Sequence, residues 1–199
     1  MKAEAGNFFW KSYKVYSGEA GSEYELTMFR IVAKRRRNRP FATPKGPILL
    51  IHGAFTDSIT WMDRTDETEK NVGSLLAEEG YDVWYANMRG TRYSRENKKW
   101  DADADKEEFW DYDFSDLAKE DVPAMIKKII EVNGSCTKVS LVGHSLGSQN
   151  IINLLSQSSV ASNYIAQSVA MAPCLIAEAI GFVPFEINTT SYVLINSVL

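Results

Sequence analysis

Residues Lys138 to Gln149 read KVSLVGHSLGSQ. Val139, Leu141 and Val142 form a β-branched and aliphatic run, short enough for a strand buried on both faces. Gly143-His144-Ser145-Leu146-Gly147 follows, a G-x-S-x-G spacing with a steric cause. A serine on a sharp strand-to-helix turn sits in a strained backbone conformation, and a glycine two places to either side lets strand and helix approach closely. Such a turn lifts the Ser145 hydroxyl clear of the sheet. It also aims the N–H of Leu146 at the place where an oxyanion would form. The stretch predicts a nucleophile elbow, with Ser145 as nucleophile and Gly143 and Gly147 as its glycines.

A second buried strand is legible upstream. Ile48-Leu49-Leu50-Ile51 is an apolar run that ends in His52-Gly53-Ala54-Phe55. A strand ending in His-Gly beside an elbow is a source for the second oxyanion N–H, assigned to Ala54 with Phe55 as the weaker candidate. Between the two strands, Val72, Leu75, Leu76 and Ala77 share one helical face, and Gly80 stands where a helix ends. Asp82–Asn87 reads as a strand, followed by the basic and aromatic loop Met88 to Arg95. The arginines of that loop are expected to pair with the acidic stretch Asp101 to Asp121. Phe114 to Val132 reads as a helix with Ser115 as N-cap, and Pro123 inside it predicts a kink or a fresh start at Asp121. The elbow strand leads into a helix from Ser145 to about Ser158, then into a strand Ile165–Ala172.

Ahead of all this, two strands are expected around Ser12–Tyr16 and Tyr24–Val32, with Gly18 and Gly21 in the turn. Lys34-Arg35-Arg36-Arg37-Asn38-Arg39-Pro40 reads as a solvated loop. An initial antiparallel pair followed by alternating strands and helices predicts an α/β fold, a mostly parallel sheet covered by helices on both faces. Residues 1–46 hold the antiparallel strands and basic loop, 47–175 the core sheet, and the tail 176–199 is apolar at SYVLINSVL, read as the start of a helix or an interrupted element.

At 199 residues the length suits one domain with a sizeable core. A net charge of −4 argues against a nucleic-acid partner, and no apolar run approaches the ~20 residues that span a bilayer. The first residues show no apolar stretch followed by a small-residue cleavage site, so no signal peptide is expected and the compartment stays open. The two cysteines, Cys136 and Cys174, flank consecutive strands. If those strands are parallel, the cysteines lie roughly 17–20 Å apart against the ~7 Å that a disulfide tolerates, which predicts free thiols. Asn133 and Asn188 open N-x-S/T triplets, matches too short to indicate a compartment.

Four stretches together resemble the acid lipase family of α/β-hydrolases: LLIHGAF (49–55), LAEEGYDVWYANMRGTRYSR (76–95), FWDYDFSDLAKEDVPAMI (109–126) and VGHSLGS (142–148). The resemblance covers roughly residues 12–175 in matching order. It implies a carboxylic-ester hydrolase for apolar lipid esters, triacylglycerols or cholesteryl and steryl esters, met at a lipid–water interface, with no cofactor and no metal. Carried over, Ser145 is the nucleophile and Ala54 and Leu146 are the oxyanion donors, while Gly90 to Arg95 takes no catalytic role. A secretory, lysosomal or lipid-associated setting would follow from the family alone. Family members run to nearly twice this length, adding a helical lid and then the strands that bear the triad acid and histidine, so these residues are expected to stop before the lid is complete.

In this fold the triad runs serine, acid, histidine along the chain. After Ser145 there is no histidine and no aspartate, and Glu178 and Glu186 are the only acids. The two histidines are His52, in the oxyanion turn, and His144, whose position beside Ser145 projects its side chain away from the hydroxyl. A serine without a base is a poor nucleophile, and losing the triad histidine costs on the order of 10⁶ in kcat. These residues alone are therefore expected to be nearly inactive. Two other readings stay open: a non-catalytic protein binding a lipid or a protein partner, and an esterase or thioesterase for small soluble substrates.

Overall fold

The computed structural model describes residues 8–33, 44–62, 71–134, 137–157, 161–173 and 192–195. Strands β1 (Phe8–Ser17) and β2 (Tyr24–Ala33) form an antiparallel hairpin in continuous register from Phe8↔Ala33 to Ser17↔Tyr24. The remaining strands are β3 (Gly46–Ile51), β4 (Tyr81–Tyr85), β5 (Glu96–Asn97), β6 (Val139–His144), β7 (Ile165–Met171) and β8 (Tyr192–Ile195). They join one sheet in the order β1-β2-β4-β3-β6-β7-β8, with β5 paired to β2. Strands β4, β3, β6 and β7 run parallel, while β1, β2 and β8 are antiparallel to their neighbours. The predicted mostly parallel α/β sheet is the one observed.

Side-chain alternation divides the core into two layers. Leu49, Ile51, Trp84 and Leu141 pack on one face against α4 (Val122–Asn133) and α5 (Leu146–Gln157), through Val122, Met125, Ile129, Ile151 and Leu154. Ile48, Leu50, Val83 and Tyr85 point to the other face, where Trp61 and Ala77 cover them. Period-2 burial on both faces is what a sheet sandwiched between helices requires.

Two expectations about the helices are corrected, and the fresh start expected at Asp121 is observed. Helix α1 (Val72–Glu78) forms where expected but docks through Gly73 and Ala77, leaving Val72 46% and Leu75 48% exposed. The Tyr85 phenol lies so close to Gly73 that no side chain would fit between them, and this rotates the helix from the face that hydropathy alone suggests. The cap of the helical run that begins at Phe114 is Asp113, not Ser115. Its carboxylate accepts the N–H groups of Ser115 and Asp116, and the Asp116 carboxylate accepts the Asp113 N–H in return, a capping box opening α3 (Phe114–Asp116). A π-turn over Leu117–Asp121 then joins α3 to α4, which starts afresh at Val122 with Pro123 in its first turn, where a missing N–H costs nothing.

In the tail, Tyr192–Ile195 is a strand rather than a helix. It pairs antiparallel with β7 from Met171↔Tyr192 to Ser168↔Ile195, covering an edge of β7 that the sequence alone leaves open. Two short helices, α2 (Lys106–Phe109) and α6 (Ala161–Tyr164), complete the described elements. The basic run at 34–40, both cysteines, Glu178, Glu186 and Asn188 lie outside the described residues.

Candidate active site

The site gathers at the carboxyl ends of the parallel strands, where β3, β4 and β6 stop level with one another: Ile51 pairs with Gly143, and Leu50 with Tyr85. Ser145 stands between β6 and α5 with φ +53°, the left-handed region that a non-glycine residue enters only under constraint. The constraint is visible. Its N–H donates to Met171 O on β7 at 2.9 Å, and its own carbonyl accepts from Ser148 and Gln149 N–H at 3.0 and 3.1 Å. The Ser148 hydroxyl, fully buried, lies 2.7 Å from both Gly143 O and Met171 O and ties the turn to two strands.

The flanking glycines are needed for space. A Cβ on Gly143 would come within 2.6 Å of the Ser148 nitrogen, and one on Gly147 within 2.7 Å of His52 O. Gly53 lies against the elbow: a Cβ there would stand 3.2 Å from both Ser145 Cβ and His144 Nδ1. The turn after β3 and the elbow after β6 thus share one small volume. Ala54 is half-buried and Phe55 fully exposed, also at positive φ (+58°). No described group accepts the N–H of Ala54 or of Leu146, the first residue of α5.

His52 is buried and committed. Its Nε2 accepts the Met88 N–H at 3.1 Å, which leaves the proton on Nδ1, and Nδ1 donates to Gly53 O at 2.7 Å. Burial lowers its pKa, against smaller opposing effects of Gly53 O and Asp57. With both nitrogens occupied and protonation disfavoured, His52 is no base for Ser145. His144 Nδ1 is buried and has no partner among the described residues.

The arginine loop behaves as expected in part. Arg89 pairs with Asp121 and Glu120, and Arg95 with Asp103, but Arg92 turns to Asp57, outside the acidic stretch, at 2.8 Å. Burial works against the Arg89 charge, yet Asp121 and Glu120 outweigh it and hold its pKa above the ordinary value. No spacing in the sequence announces that the Asp121 carboxylate holds the loop bearing Met88, and the restart before Pro123 is the only local signal. Among the described residues, no group of three or more His, Cys, Asp or Glu side chains could hold a metal ion, and no helix is long and apolar enough to cross a membrane.

A parallel core with helices on both faces and a strand–serine–helix turn at its carboxyl edge define an α/β-hydrolase architecture. A family model described as alpha/beta hydrolase fold matches residues 46–187, and the chain belongs to that family. Within it the chain is acid-lipase-like. It is 36% identical over 132 residues to the human lysosomal acid lipase/cholesteryl ester hydrolase, covering 66% of this chain and 32% of the relative. It is 30% identical over 192 residues to human lipase member N, covering 93% and 46%. A probable lipase of Schizosaccharomyces pombe is 33% identical over 76% of this chain and 32% of its own. The chain thus spans less than half the length of these relatives. Solved structures agree on the fold. A thermophilic esterase from Thermogutta terrifontis superposes with TM-score 0.52 at 15% identity, over 82% of this chain and 46% of its own. A peroxisomal alpha-beta-hydrolase of Saccharomyces cerevisiae does so with TM-score 0.53 at 13% identity, over 86% and 46%.

Proposed function

We propose that this chain carries the nucleophile and oxyanion donors of a lipid-ester hydrolase that works through an acyl-enzyme on Ser145. The observation that carries the reading is the serine at φ +53° whose turn packs against the Gly53 turn. Attack of Ser145 Oγ on an ester carbonyl would form a tetrahedral intermediate, with the N–H groups of Ala54 and Leu146 receiving its oxyanion. Collapse expels the alcohol and leaves the acyl group on Oγ, and water then releases the fatty acid. Likeness to acid lipases supports triacylglycerols or cholesteryl esters as substrates. His52 does not remove the Ser145 proton, because both of its nitrogens are engaged.

The engaged nitrogens of His52 favour a second reading, a hydrolase-like protein that binds a lipid or a protein partner without turning over. A fluorophosphonate probe with imidazole added as an external base separates the two. Hydrolase chemistry predicts one adduct, mapped to the Ser145 peptide and lost in Ser145→Ala. An adduct that survives the substitution, or none on Ser145 at any imidazole concentration, would reject the nucleophile assignment.

A further inference from the structure

A buried ionic cluster lies behind the oxyanion turn and takes no part in the chemistry above. Asp121, the last residue of the π-turn, is fully buried. Its Oδ1 accepts from Arg89 Nε at 2.9 Å, Arg89 Nη2 at 2.6 Å and the Ser17 hydroxyl at 2.6 Å. Its Oδ2 accepts the backbone N–H of Arg89 at 3.0 Å. The Arg89 guanidinium also meets Glu120 at 2.6 Å and lies over the Tyr24 ring, 4.4 Å from its centroid. One carboxylate therefore holds both the side chain and the main chain of residue 89, from 32 positions away in sequence.

The neighbouring peptide carries this constraint to the site. Met88 N–H donates to His52 Nε2, which forces the imidazole proton onto Nδ1, and Nδ1–H draws the Gly53 carbonyl toward the ring. In a trans peptide the carbonyl and the following N–H point in opposite directions, and the described chain has no cis peptide. Drawing Gly53 O toward His52 therefore turns the Ala54 N–H away from the ring. A wrong tautomer at His52 would set two lone pairs face to face at Gly53 O and release that peptide to rotate.

We propose that Asp121 is a positioning residue for the oxyanion turn, setting the direction of the Ala54 N–H through Arg89, Met88 and His52. This role deepens the hydrolase reading and rests on Ala54 being an oxyanion donor. It also gives the π-turn a task. The extra residue of that turn seats Asp121 beneath the Arg89 guanidinium, while Glu120 meets the same guanidinium from the more exposed side.

The test reads the tautomer directly. In the full chain labelled with nitrogen-15, the His52 ring should show one species, protonated at Nδ1. In Asp121→Asn, a second species protonated at Nε2 should appear while the far-ultraviolet spectrum and the amide signals of β6 are retained. A folded Asp121→Asn with an unchanged His52 ring overturns the proposal. If that variant does not fold, Ser17→Ala decides, because it removes one donor to Asp121 and one acceptor of Arg89 Nη2 while leaving the direct Asp121–Arg89 bonds in place. Hydrogen exchange at Arg89 and Met88 should then speed up together, by roughly ten-fold for one lost hydrogen bond to a charged group, while Leu141 keeps its protection. Any result in which Met88 keeps its protection overturns the relay. Labelling of Ser145 is read separately, so a relay that holds with an unreactive serine would reject the hydrolase reading and spare the coupling.

Discussion

Gly147 rests on the end of β3, so close that a methyl group in place of its hydrogen would stand 2.7 Å from His52 O. The contact fixes how near the first turn of α5 comes to the turn after β3, and backbone, unlike a flexible side chain, cannot swing aside. Gly147→Ala should cost about 3 kcal/mol or more through forced displacement of one element. Urea unfolding measures it. A loss below about 1 kcal/mol would mean that the two turns can separate freely.

Asn150 offers the opposite sign. It is fully buried on α5, and neither its Nδ2 nor its Oδ1 has a partner among the described residues. An unpaired buried amide costs about 1–3 kcal/mol, and leucine has the same branched arrangement of side-chain heavy atoms. Asn150→Leu should therefore raise the urea midpoint without changing the slope. A fall in midpoint would show that the amide has a partner that matters.

Arg89 and Lys128 separate buried from exposed ion pairs. Arg89 is nearly fully buried against Asp121, whereas Lys128 pairs with Glu131 at the surface of α4. Arg89→Leu leaves the Asp121 charge buried without its cation and should cost about 3–5 kcal/mol. Lys128→Ala should cost less than about 1 kcal/mol. Thermal unfolding of the two variants side by side checks the ordering.

His52 makes stability depend on pH. Burial lowers its pKa in the folded state below the ordinary value near 6.5, with Asp57 as the nearby charge that opposes the shift. Between the two values the unfolded chain binds the extra proton, so stability is full above about 6.5 and falls as the pH drops toward the folded value. His52→Asn should flatten this part of the curve. An unchanged slope in the variant would assign the acid loss to carboxylates instead.

Much of this is legible in the sequence, for reasons that are local. The runs Ile48–Ile51 and Val139–Val142 and the glycines at 143 and 147 carry the parallel core and the elbow, because burial and steric crowding act on neighbours in the chain. What escapes depends on residues far apart. The Asp121–Arg89 pair and the Met88–His52 bond join segments more than thirty residues distant, and no spacing announces them. The face of α1 departs from its hydropathy because Tyr85, a strand residue, decides how close Gly73 must come. The cap falls at Asp113, two positions before Ser115, since the two are equally good capping types and local sequence does not choose between them. Tyr192–Ile195 has the aromatic and β-branched composition of a strand, but only its pairing with β7, more than twenty residues back, decides the assignment.

The most direct measurement is the intact mass of the 199-residue chain after exposure to an activated fatty-acyl ester, with and without imidazole. Acyl transfer to Ser145 predicts a single added acyl group on the 22.4 kDa chain, formed slowly alone, faster with imidazole, and absent in Ser145→Ala. Equal acylation of the alanine variant, or none with imidazole present, would contradict an elbow built for ester chemistry.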